Sequence, residues 1–161
     1  MMDPRMTEAL NRQINEELAS WYIYLSMATW LEDENWSGMA HWVKKQAQEE
    51  MNHAMKIYGF VNERRAKVDL SAIPAPKTSW DSVTQLFDEV LAHEEHITAC
   101  IHKLYKLARE IDDLPAQEFL NWFVKEQVEE EANADQIVQK IRRIGDGKHG
   151  LFMLDHELGK R

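Results

Sequence analysis

Six side chains in this sequence are placed for chemistry rather than packing: Glu17, Glu50, His53, Glu94, Glu126 and Glu130. The placement follows from a helical wheel turned at about 100° per residue. Met6, Leu10, Ile14, Trp21, Tyr24 and Ala28 share one arc of about 80°, and Glu17 falls inside it. Met39, Trp42, Val43, Ile57, Phe60 and Val61 define a second apolar face. Glu50 and His53, three apart, lie in its middle, with Gln46 beside them. A third face is Val83, Leu86, Val90, Ile97, Ile101, Leu104 and Ala108, with Glu94 inside it. On the fourth, Phe119, Trp122, Phe123, Ile137, Ile141 and Ile144 surround Glu126, Glu130 and Asn133, with Gln127 and Glu129 flanking. Ionised carboxylates in a dry core cost several kcal/mol each unless compensated. No Lys or Arg falls on these faces, so a pair of divalent metal ions is the simplest compensation. Oxygen donors with one imidazole suit iron or manganese, whereas zinc recruits more His or Cys. A bundle whose polar layer only sets register is the alternative.

The elements that carry these residues are legible from breaks in the periodicity. The chain has only six Gly and four Pro. Asp3-Pro4 reads as an N-cap followed by proline at N1, and a first helix runs to about Glu34. Asn35-Trp36-Ser37-Gly38 is a short break with Ser37 as N-cap, and a second helix runs from Gly38 to Arg65. Val68 to Trp80, with Pro74 and Pro76, has no helical period. A third helix fits Asp81–Ile111 and a fourth Pro115–Ile144, with Asp113 or Leu114 at its start. Gly145-Asp146-Gly147 stops it, and His149–Leu158 forms a last short helix.

The expected fold is all-α: a four-helix bundle with one long crossover between second and third helices and a short C-terminal fifth helix. Each long helix would span about 42 Å. The proline-containing connection, extended, reaches about 43–47 Å, enough to run back along a whole helix, the topology known for ferritin-like bundles. Counted from the first turn, Glu17 lies about 18 residues before and His53 about 18 after. From Asp113, Glu94 lies about 19 before and Glu130 about 17 after. All therefore meet in one layer halfway along the bundle.

Composition bounds the rest. The 161 residues favour a single domain, 1–161. The 28 acids against 19 Lys plus Arg give a net charge of −9. That excludes a nucleic-acid binder relying on a basic face and an anchor on an anionic membrane. The apolar run Trp21–Leu31 is too short to span a bilayer, which needs about 20 residues. The start Met-Met-Asp-Pro-Arg-Met lacks the apolar segment of a secretory signal. The single cysteine, Cys100, forms no intrachain disulfide. A cytoplasmic location is the expectation.

Taken together, Glu17 with Tyr24, the run Gln48-Glu49-Glu50-Met51-Asn52-His53, Glu94, and Glu126-Gln127-Val128-Glu129-Glu130-Glu131 resemble the bacterial non-haem ferritins. The resemblance covers almost the whole chain. It implies that Glu17, Glu50 and His53 hold one iron and that Glu50 bridges to a second, held also by Glu94 and Glu130. It implies a third iron site at Glu49, Glu126 and Glu129. Gln127 matches a residue lining the pair, and Tyr24 a tyrosine that supplies an electron or fixes a carboxylate. Trp122 is read as packing.

Bacterioferritins carry a second Glu-x-x-His on the fourth helix; here Asn133 follows Glu130, so no haem is expected, and Met51, where they place a haem ligand, is read as packing. The implied activity is oxidation of Fe(II) by O2 or H2O2, with mineral stored in a hollow shell of 24 subunits. Leu151–Leu154, with His156 and Glu157, would then sit at a fourfold axis. Trp36, Trp80 and Met39 are expected to be buried between subunits. His93, His96 and His102 are read as surface histidines. The rival functions are a di-iron redox enzyme and a haem-containing bacterioferritin. The former would want two Glu-x-x-His motifs or paired cysteines, and this chain has neither.

Overall fold

A computed structural model describes residues 2–145 and 147–161, and most of its helix starts carry an identifiable cap. Met1, and Asp146 in the middle of the Gly-Asp-Gly break, lie outside the described residues. α1 (Pro4–Asp33) opens with proline at N1, and the Asp3 carboxylate accepts from Arg5 N at 2.8 Å. It closes at Asn35, whose φ of +64° a short polar side chain tolerates. α2 (Ser37–Glu63) corrects one expectation: its N-cap is Trp36, not Ser37. The cap is instead supplied from far away in sequence, by Asp155, which accepts from Met39 N at 2.8 Å. α3 (Val83–Glu110) starts where Ser82 Oγ accepts from Gln85 N. α4 (Leu114–Ile144) starts at Asp113, which accepts from Ala116 N at 3.0 Å. Arg64 grips both oxygens of the same carboxylate at 2.8 and 3.1 Å. Gly145, at φ +63°, ends α4. α5 (Lys148–Leu158) is the last helix. Among the described residues there is no strand, and no helix is long and apolar enough to cross a membrane.

The four long helices form two antiparallel pairs, α1 with α2 and α3 with α4, and α1 lies beside α3. The crossover occupies 64–82, longer than the Val68–Trp80 stretch expected, because α2 stops at Glu63 and α3 waits for its Ser82 cap. It is laced along α1. Asn11 binds Lys67 O and Asp69 N, and Ser26 Oγ donates to Lys77 O at 2.7 Å. Those anchors, Asn11 and Ser26, are roughly 22 Å apart along the α1 axis. α5 docks across the start of α2, burying Leu154 and Leu158. Gly38 is essential to that approach: a Cβ there would lie 1.8 Å from the backbone oxygen of Asp155.

The apolar core is divided in two. One half gathers Tyr24, Met27, Leu31, Met39, Val43, Phe87, Val90, Ile137 and Ile141. The other gathers Met6, Leu10, Ile14, Ile57, Val61, Ile97, Ile101, Leu120 and Phe123. Glu17, Gln46, Glu50, His53, Glu94, Gln127 and Glu130 belong to neither half, and all are buried.

Packing corrects two further expectations. Met39 and Trp80 are buried within the chain itself, and Trp80 Nε1 donates to Glu89 at 2.7 Å; only Trp36 is left half-buried, against Phe152. The apolar face of α4 is also turned. Ala116, Leu120, Phe123, Ala134, Ile137, Val138 and Ile141 are buried, whereas Trp122 is 38% exposed. The true face is rotated by roughly 50° from the sequence reading. Gln127 therefore sits within it, and Glu126 at its edge.

Candidate metal centre

The polar layer follows from the registers of four helices. Glu17 comes from α1, Glu50 and His53 from successive turns of α2, Glu94 from α3 and Glu130 from α4. Residues three apart on a helix share a face, so Glu50 and His53 point into the bundle together. The ligand atoms of Glu17, Glu50 and His53 lie within 4.8 Å of one another, as do those of His53, Glu126 and Glu130. His53 is common to both groups and joins the α1–α2 side of the layer to α4.

Buried polar atoms are normally satisfied, and several here are not. Glu17 Oε2, both carboxylate oxygens of Glu50, and His53 Nδ1 have no hydrogen-bond partner. His53 Nδ1 stands 3.4 Å from Glu50 Oε2, yet the two are not aligned for a hydrogen bond. The oxygens that are satisfied are held by neutral donors. Gln13 Nε2 donates to Glu17 Oε1 at 2.8 Å, and Gln46 Nε2 to Glu130 Oε2 at 2.7 Å. The Tyr24 hydroxyl donates to Glu94 Oε1. Gln127 Nε2 lies 3.3 Å from Glu94 Oε2 and 3.4 Å from Glu94 O. Glu17, Glu94 and Glu130 are thus each held by a donor, whereas Glu50 has none on either oxygen.

Electrostatics agree. Burial, then the charge of Glu50, pushes Glu17 well above the usual carboxylate range. Burial, then Glu94, does the same to Glu50. Burial also raises Glu94, against the hydrogen bonds from Tyr24 and Gln127. Glu130 is pushed up to about 7 by burial and the neighbouring Glu94. The Tyr24 hydroxyl is held protonated by burial and by Glu94, which suits it to donate. Burial without a cation thus favours the protonated carboxyls, and a bound cation would favour the ionised, ligating forms. Two divalent ions would balance the four carboxylates Glu17, Glu50, Glu94 and Glu130. The donors are oxygen-rich with a single imidazole, a set that fits iron or manganese.

Glu49, Glu126 and Glu129 are not drawn into one group. Glu49 is half-buried and paired with Arg161 at 2.6 Å, Glu126 turns toward His53 and Glu130, and Glu129 is exposed. Trp122 meets the His53 ring edge-on at 5.5 Å and carries Lys56 over its own face at 3.9 Å. It therefore covers the histidine from the solvent side. Met51 is half-buried.

Two residues near the layer were not legible as such. Gln13 lies just outside the apolar arc of the first helix; its signal was its i,i+4 relation to Glu17. His93, expected at the surface, is a correction: its Nε2 is 2.7 Å from Ser20 Oγ, and its ring meets Tyr24 edge-on at 5.5 Å. Burial, then His96, lowers it to about 4, so it is neutral. His96 and His102 are exposed, as expected.

A four-helix bundle with one long crossover, and a layer of glutamates and one histidine buried at its middle, is the architecture of the ferritin-like bundles. A model of the ferritin-like domain matches residues 7–144, and the chain belongs to the ferritin family. It is 40% identical over 161 residues to a bacterial non-heme ferritin of Bacteroides fragilis, covering all of both chains. It is 37% identical to one from Staphylococcus aureus, covering all of this chain and 97% of that one. Among solved structures it resembles an open pore ferritin of the archaeon Archaeoglobus fulgidus. There the TM-score is 0.99 at 45% identity, over 100% of this chain and 99% of that one.

Proposed function

We propose that this protein stores iron, oxidising Fe(II) at the buried carboxylate layer and passing ferric iron on to a mineral. The observation that carries the reading is the set of orphaned oxygens on Glu17 and Glu50 beside His53 Nδ1, all buried in one layer. Glu17, Glu50 and His53 take one Fe(II), Glu94 and Glu130 the other, with Glu50 between them. A pair of Fe(II) ions gives up two electrons, enough to reduce O2 with two protons to H2O2, or H2O2 with two protons to water. The protein's part is to hold the ions close and fix the carboxylates. Tyr24 and Gln127 fix Glu94, Gln46 fixes Glu130, and Gln13 fixes Glu17. The proton on Tyr24 stays in place to do so.

Iron is cargo here, so it must leave. Glu126 at the edge of the layer, with Glu49 and Glu129 further out, forms the acidic route we assign to a third iron and to exit. Storage also needs a cavity that one bundle lacks. In this reading the whole chain, 1–161, is one domain and one unit of a 24-subunit shell. The exposed apolar pair Phe152 and Met153 on α5, 61% and 64% accessible, supports such association. No haem takes part in this reading.

The test is aerobic oxidation of Fe(II) followed by absorbance. Glu130→Ala is expected to lower the initial rate by roughly 10-fold or more. An unchanged rate would overturn the role given to Glu130.

A further inference from the structure

A second group of metal-ligating side chains lies apart from the buried layer, on the face shared by α1 and α3. Glu16 comes from α1, and His96 and Cys100 from successive turns of α3. One ligand atom from each lies within 4.8 Å of the others. His96 Nε2 is 3.0 Å from Glu16 Oε2 and 3.7 Å from Cys100 Sγ. The carboxylate and the thiol are half-buried and the imidazole is exposed. We infer that Glu16, His96 and Cys100 form a separate binding site for a thiophilic divalent cation of the zinc(II) type.

Two other readings of the trio fail on geometry and chemistry. A Cys–His–Glu relay would need the carboxylate on Nδ1 and the thiol on Nε2, on opposite edges of the imidazole. Here both approach Nε2, so no proton can be passed through the ring. A site for the iron cargo is disfavoured because thiolate and imidazole select zinc over Fe(II).

The spacing is what a tetrahedral ion requires. Zinc bonds of about 2.3 Å to sulfur and about 2.0–2.1 Å to nitrogen or oxygen put neighbouring ligand atoms roughly 3.3–3.6 Å apart. The observed 3.0 and 3.7 Å bracket that range, so small side-chain rotations suffice. Binding forms the metal–sulfur bond and releases the thiol proton to solvent. The thiolate and the Glu16 carboxylate then neutralise the ion. Three protein ligands leave a fourth position for water, reached from the exposed side of His96. Arg12 lines the adjoining groove but is paired with Glu8, leaving Lys103 as the nearby opposing charge.

Cys100 is the chain's only cysteine, so sulfur spectroscopy reports on this site alone even when the carboxylate layer is filled. The experiment titrates the intact, metal-free protein with Co(II) and follows the thiolate-to-cobalt band in the near ultraviolet. The wild type is expected to show a saturable band whose limiting intensity corresponds to one thiolate-bound Co(II) per chain, whatever Co(II) the carboxylate layer also takes up. Cys100→Ser is expected to lack it, and His96→Ala and Glu16→Gln each to weaken binding by at least about 10-fold. Glu130→Ala is expected to keep the band, which separates this site from the proposed iron chemistry. A second measurement follows Cys100 with an aromatic disulfide reagent. Zn(II) is expected to protect the thiol in the wild type and fail to do so in His96→Ala. Absence of the band in the wild type, or equal affinity and protection in the His96 and Glu16 variants, would overturn the inference.

Discussion

Replacing Glu130 by Gln should stabilise the metal-free protein at alkaline pH while weakening its hold on metal. Glu130 is almost wholly buried, and burial with the charge of Glu94 pushes its carboxyl from 4.5 up to about 7. A carboxyl raised in the folded state gives stability that is intact below the unfolded value. That stability is lost as pH climbs through the folded value. Between pH 5 and pH 8 this one group therefore costs the metal-free fold about 2.5 kcal/mol, at about 1.4 kcal/mol for each pKa unit. Gln has nearly the same shape, and its carbonyl can still accept the 2.7 Å bond from Gln46, but it cannot ionise. The assay is urea unfolding of chelator-treated protein at several pH values. The wild type should lose about 2.5 kcal/mol more than Glu130→Gln between pH 5 and pH 8. Saturating divalent metal should remove most of the wild type's loss, because the ionised carboxylate then has a partner. Parallel stability profiles for the two proteins would mean that Glu130 is neither dry nor crowded by charge.

Other consequences follow from the same contacts. Gln46→Leu leaves Glu130 Oε2 without its donor and should weaken metal binding at the layer by roughly 10-fold, read by competition with a chromogenic chelator. Gly38→Ala drives a Cβ into the backbone of Asp155; it should cost about 1–3 kcal/mol and free α5, seen as faster proteolysis after Ile144. Arg161→Ala removes the cation paired with Glu49. It should change folding stability by less than about 1 kcal/mol, yet raise cation affinity at Glu49, measured by calorimetry with Glu130→Ala as background.

How far the sequence reached depended on what each helix face is made of. On α3 all seven apolar positions and Glu94 are buried as read, because aliphatic residues recur there at the helical period and the buried aromatic, Phe87, lies beside Leu86 and Val90 on the same side. On α4 the aromatic bulk of Phe119 and Trp122 pulled the wheel toward them. Trp122 is amphipathic and spends its ring on His53 and Lys56 at the surface, while small Ala116 and Ala134 hold the buried side. A hydrophobicity count weights size, and the bundle there needed small residues. The depth of Glu17, Glu50, His53, Glu94 and Glu130 was legible because helical rise is fixed. What sequence could not give is anything set by pairing between distant helices. The Asp155 cap on α2, the Ser20–His93 contact and the approach of Glu16 to His96 each join residues at least 70 positions apart. No local period encodes them.

Whether the buried layer feeds a store is decided by loading the assembled protein with rising amounts of Fe(II) in air, then measuring particle size and iron per subunit together. A large hollow particle is expected, taking up iron far beyond what one buried centre per chain can hold, and Glu50→Ala and Glu130→Ala are expected to slow that uptake. Saturation at two irons per chain, or a particle no larger than a dimer, would rule out storage.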